Sequence, residues 1–177
     1  MIRQLLSYMT FPGVIAHEFS HAWACRRMGI PVHKVCYLRL GDPMGYVLHE
    51  QPVHTCQHIM VAVAPFFVST ILALFASLLA CALARSQAFP EMREMGVLAA
   101  AWFSFSLAFH AFPSSGDADS LWLDVKSPDI SLPAKFLLAP VVGLIRLAQM
   151  GTRLWLDVLF ALVIVALPPA VLLVLMT

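Results

Sequence analysis

His17-Glu18-Phe19-Ser20-His21 reads H-E-x-x-H. On a helix, residues four apart share one face at about 6 Å, so two imidazoles can close on one metal ion. Glu18 stands one position on, where its carboxylate reaches a metal-activated water and takes its proton. With 7 His among 177 residues, a chance match anywhere has a probability of about 0.6 %. The ordinary alternative is a solvated helix face. That alternative is weak here, because Leu5–Cys25 carries no other charged residue and an apolar environment offers histidines no solvent.

A hydrolytic zinc ion wants three protein ligands and an open position. The third must come from another segment at the same depth, and the stretch His110-Ala111-Phe112-Pro113-Ser114-Ser115-Gly116-Asp117-Ala118-Asp119 supplies candidates. The uncharged run before it, 97–112, makes about 24 Å of helix, short of a hydrocarbon core of about 30 Å. The Pro-Ser-Ser-Gly loop is therefore expected to reach into membrane depth. Irregular backbone is tolerated there only where it lines a cavity or is covered by protein. Either carboxylate, Asp117 or Asp119, is placed to complete the ligand set.

The elements that must position these groups follow from composition. Hydrophobic residues make up 60 % and charged residues 12 %, and the mean hydropathy is +0.83. A soluble globule of this size could not hide that much apolar surface. The chain is expected to be a single membrane-embedded domain over 1–177, an all-α polytopic membrane protein in contact with the lipid bilayer. A net charge of +1 without any basic block excludes nucleic acid as a partner, since phosphate binding needs clustered Lys and Arg. The four cysteines form no C-x-x-C pair, so free thiols are expected. The N-terminus does not read as a cleaved signal, because Pro12, His17, Glu18 and His21 interrupt its apolar run.

Helices are expected at about 5–28, 57–84 and 96–113, with two more near the C-terminus at about 133–150 and 153–176. The 133–150 segment, bracketed by Lys135 and Arg146, reads as an interfacial helix in preference to a span. Pro168-Pro169 should kink the last helix. Residues 32–48 read as a β-hairpin around Gly41-Asp42-Pro43-Met44-Gly45, residues 85–94 as a short charged connection, and residues 114–132 as a turn-rich polar loop. Arg26, Arg27, Lys34 and Arg39 place the segment after the first helix in the cytoplasm. The first and third core helices then end on that side, in a multi-pass protein of the cell membrane with its site toward the cytoplasm.

Three separated motifs resemble the site-2 protease family of intramembrane zinc metalloproteases. His17–His21 matches the H-E-x-x-H of the family's first core helix. Gly45-Tyr46-Val47 looks like the G-Y-V of the membrane-associated hairpin that follows. His110-Ala111-Phe112-Pro113 through Asp117 is similar to the N-x-x-P-x-x-x-L-D-G segment of the third core helix. The resemblance covers residues 5–124. It implies a three-helix metalloprotease core with a small hairpin after the first helix, one Zn2+ per chain, and cleavage of a peptide bond in or near the transmembrane segment of a membrane-protein substrate.

The chain departs from the family pattern at two points. The family's Asn is His110 here. The family's Asp falls five residues after the Pro, whereas Asp117 falls four after Pro113 and Asp119 six. Asp117, in the tighter turn after Gly116, is the preferred third ligand beside His17 and His21, with Glu18 as base. His110 stands as a substrate-positioning group, a switchable fourth ligand or a packing histidine. Asp119 and Tyr46 are weaker candidates for supporting the ligands or touching substrate, and the hairpin edge for holding an unwound substrate strand. Over these 177 residues the PDZ domain of some family members is not expected.

Other classes keep some support. His54-x-x-x-His58, with His33, His49, Cys36 and Cys56, offers a second candidate metal cluster. A membrane di-iron enzyme needs about eight histidines with H-x-x-H-H pairs, and this chain has 7 His and no such pair. A metal-binding or transport protein and a catalytically inactive homologue are the remaining alternatives.

Overall fold

The computed structural model describes residues 2–87, 90–128 and 132–175. Helix accounts for 77 % of the structure, beside one small two-stranded antiparallel sheet. The element order is α1 (Ile2–Met9), α2 (Phe11–Arg27), β1 (Val32–Cys36), β2 (Tyr46–His49), α3 (Thr55–Arg85), α4 (Pro90–Phe109), α5 (Ser115–Lys126), α6 (Leu132–Gly151) and α7 (Leu156–Val174).

The expected single helix over 5–28 is two helices. Pro12 lacks an N–H and its ring crowds the carbonyl four residues back, which disfavours an unbroken helix at that point. The chain turns at Thr10, whose Oγ1 donates to the Leu6 carbonyl at 2.8 Å. Pro12 then falls in the first turn of α2, where a missing donor costs nothing. At the other end Gly29 takes the left-handed conformation, φ +70°, and Ile30 N–H closes on the Cys25 carbonyl at 2.9 Å. That cap turns the chain into β1.

The strands pair Val32 with His49, Lys34 with Leu48, Val35 with Val47 and Cys36 with Tyr46, with an irregularity between Val32 and Lys34. α3 covers the expected 57–84 segment and runs through the buried Pro65. Helix α7 likewise continues through Pro168-Pro169. Both α3 and α7 are long and apolar enough to cross a membrane.

Two further expectations are corrected. The helix expected over 96–113 is α4, which starts at Pro90 and stops at Phe109. Proline suits a first helical turn, so the charged connection expected over 85–94 shrinks, with residues 88 and 89 outside the described ones. The stop is set by Pro113, which removes the residue before it from helical space. The polar loop expected over 114–132 is mostly α5, because Ser114 and Asp117 cap its first turn reciprocally. Asp117 N–H donates to Ser114 Oγ at 3.2 Å, and Ser114 N–H donates back to the Asp117 carboxylate at 2.9 Å. Residues 129–131 lie outside the described part of that segment. The 133–150 segment is α6.

Three buried clusters tie the elements together. Ala24, Cys25 and Ile30 meet Val61 and Ala64 between α2 and α3. Ala73 meets Leu107, Phe109, Ala161 and Ile164 among α3, α4 and α7. Ala62 meets Leu121, Val125, Val142 and Ile145 among α3, α5 and α6. Helix α3 enters all three and is the post on which the site elements hang. Ser104 Oγ donates to the Ala73 carbonyl and Ser77 Oγ to the Val165 carbonyl, each at 2.8 Å, so these buried hydroxyls are satisfied across helix interfaces. All four cysteines are free.

Candidate metal centre

α2 and α4 approach closely at Gly13. A Cβ there would run into the Ser106 carbonyl and lie 2.7 Å from His110 Cδ2. Only hydrogen fits. Ser106 Oγ accepts from Gly13 N–H at 2.9 Å and donates to the Thr10 carbonyl at 2.7 Å. This contact brings the end of α4 within reach of His17, one turn further along α2.

His17 Nδ1 lies 2.7 Å from the His110 backbone carbonyl, and His21 Nδ1 lies 3.0 Å from the Val61 carbonyl. A carbonyl only accepts, so both Nδ1 atoms carry a hydrogen, and in the neutral ring each Nε2 presents a lone pair. Those Nε2 atoms are 3.1 Å apart. The Asp117 carboxylate, brought in by the first turn of α5, lies 3.4 Å from His21 Nε2 and 4.0 Å from His17 Nε2.

Two Nε2 lone pairs and an anionic oxygen facing one point repel one another until a proton or a metal ion lies among them. Tetrahedral zinc with bonds of about 2.0–2.1 Å sets its ligand atoms about 3.3 Å apart, and the distances here bracket that value. Among the described residues, His17, His21 and Asp117 are the one group of three or more His, Cys, Asp or Glu able to share an ion. The donor set fits a metal. Glu18 lies beside it and lines the adjoining cavity of about 430 Å³ with Tyr46, Val47 and Ser114. It makes no hydrogen bond among the described residues. Gly45 lets the hairpin sit on Glu18, since a Cβ there would be 2.5 Å from Glu18 Cγ.

The other candidate residues stand around this group. Asp119 points to α6, 3.1 Å from Arg146, with an exposed side chain. The His110 ring has its Nε2 2.9 Å from Thr10 Oγ1 and lines a cavity with His17 and Glu18, while its backbone carbonyl orients His17. Tyr46 borders the cavity under the Lys34 and Arg39 cations. His33, His49, His54 and His58 do not converge among the described residues. His33 faces Glu50 at 3.7 Å and His58 faces Ser120 at 3.1 Å. The orienting carbonyls of His110 and Val61 leave no side-chain signal in a sequence. Ser114-x-x-Asp117 does, as a capping pattern.

Comparison with family models, curated proteins and solved structures gives no match.

Proposed function

We propose that the chain is an intramembrane zinc metalloprotease resembling the site-2 protease family, hydrolysing a peptide bond in or near a transmembrane segment of another membrane protein. The observation that carries the reading is the convergence of His17, His21 and Asp117, from segments about a hundred positions apart in sequence, with the unpaired Glu18 carboxylate alongside. The polytopic membrane setting is supported by outward apolar side chains. Phe67, Phe75 and Leu79 on α3 and Leu162, Val163 and Val174 on α7 are each more than half exposed, which water would penalise and lipid would not. The basic residues 26–39 favour a cytoplasmic site.

His17, His21 and Asp117 would hold the ion. When bound, zinc supplies the Lewis acidity that activates a water and polarises the scissile carbonyl. Glu18 accepts the proton of that water as the C–O bond forms. It then delivers the proton to the amide nitrogen as the C–N bond breaks, so one carboxylate serves as base and then as acid. The two carbonyls on the Nδ1 atoms keep both imidazoles in the ligating tautomer.

A substrate helix hides its amides and must unwind before attack. Among the described residues β2 pairs only with β1, and its Tyr46-Val47 segment borders the cavity beside Glu18. Its outer edge is available to add an unwound strand next to the base.

The test is cleavage of labelled single-span peptides by the purified chain in lipid nanodiscs, read by product mass. Two fragments that disappear on chelation and return with zinc are expected. Zinc bound without cleavage of any such peptide would leave a binding or transport protein or an inactive homologue. Two irons per chain would point to a di-iron enzyme.

A further inference from the structure

His58 belongs to the second H-x-x-x-H of the sequence, and the mechanism above makes no use of it. It sits on α3, 6 % exposed, with Nε2 3.1 Å from Ser120 Oγ. The Ser120 hydroxyl donates to the Asp117 backbone carbonyl at 3.0 Å. Its hydrogen is thereby committed, so its oxygen accepts from His58 Nε2–H. A continuous link runs from α3 through Ser120 to the residue that carries the carboxylate. Three positions further along the same face of α3, the Val61 carbonyl orients His21. One short stretch of α3 thus supports two of the three donors.

Hydrogen bonds join packing in holding α5. The apolar contacts of α5 run through Ala118, Leu121 and Val125 and set how deep the helix lies. At its first turn a cavity of about 320 Å³ is lined by Gly116, Asp117 and Ser120 together with His58 and Val61. The His58–Ser120 bond beside that cavity adds a directional restraint to the turn that carries Asp117.

We propose that His58 is a positioning residue for Asp117, acting through Ser120 to set the angle at which α5 presents its carboxylate to the two imidazoles. The inference rests on the zinc reading of the site, and its test separates the two. Zinc dissociation constants would be measured by chelator competition for wild type, His58→Leu, Ser120→Ala, the double variant and His58→Gln, which restores an N–H donor. His58→Leu and Ser120→Ala should each weaken zinc by about tenfold or more, as partners of ligating residues do. The double variant should be no worse than either single one, and His58→Gln should return to within about threefold. Hydrogen exchange of residues 116–119 in the metal-free chain is the second readout, faster in His58→Leu and restored in His58→Gln. Unchanged zinc affinity and unchanged exchange in His58→Leu would overturn the proposal. If wild type binds no zinc, the metal reading fails separately, and the exchange comparison alone decides the link. Should His58→Leu not fold, Ser120→Ala carries the same decision.

Discussion

Gly45→Ala tests whether Glu18 is the base, without touching Glu18 or any ligand. The added Cβ would lie 2.5 Å from Glu18 Cγ, 3.1 Å from its Cδ and 3.1 Å from the Cys36 carbonyl oxygen. Carbon atoms in contact settle at about 3.5–4.0 Å, so the methyl intrudes on the Glu18 stem by about 1 Å. It cannot retreat, because Cys36 pairs with Tyr46 in the hairpin and its carbonyl closes the other side. Glu18 must give way. Misplacing a reacting group by about 1 Å costs on the order of a hundredfold in rate, about 2.7 kcal/mol in the barrier. The two Nε2 atoms and the Asp117 carboxylate stay where they are, so zinc affinity should remain within about twofold. The assay is kcat/KM on a single-span peptide in nanodiscs, with zinc content measured on the same samples. Wild-type turnover in Gly45→Ala would refute the placement of Glu18 as base. Turnover lost only in step with zinc would refute it equally.

Glu18→Gln should keep zinc and fold while turnover falls by about 10²–10⁴-fold, and a loss within about tenfold would remove Glu18 from the chemistry. Asp117→Asn should weaken zinc sharply in chelator titration. Asp119→Asn should change it little, because it loses only an exposed pair with Arg146 worth about 0–1 kcal/mol. Gly13→Val alters no ligand, yet should release zinc by prising α2 from α4 and breaking the bond from His17 Nδ1 to the His110 carbonyl. Retained zinc in a folded Gly13→Val chain would contradict that coupling.

Much of the candidate site is legible because it rests on side chains at helical spacing. His17, Glu18 and His21 announce themselves, and Asp117 is reachable by asking what else lies at the end of a short apolar run. The fold is less legible where two local rules compete. Pro12 inside an apolar stretch breaks one expected helix into α1 and α2. The Ser and Asp residues at 114–119 resemble a loop in composition but cap a helix in fact. The supports of the ligands are the least legible. The carbonyls of Val61 and His110 belong to residues whose side chains give no hint of the task, and His58 looks like half of a second metal pair until α5 is set against α3. Those roles arise from tertiary packing, and no window along the chain contains them.

The central claim is that His17, His21 and Asp117 jointly hold one zinc ion. X-ray absorption at the zinc edge of the freshly purified chain, with total metal determined on the same sample, tests it most directly. One zinc per chain with two nitrogen ligands and at least one oxygen ligand at about 2.0–2.2 Å, lost in His21→Ala, is the predicted result. A fully folded chain with no zinc, or zinc retained unchanged in His21→Ala, would contradict it.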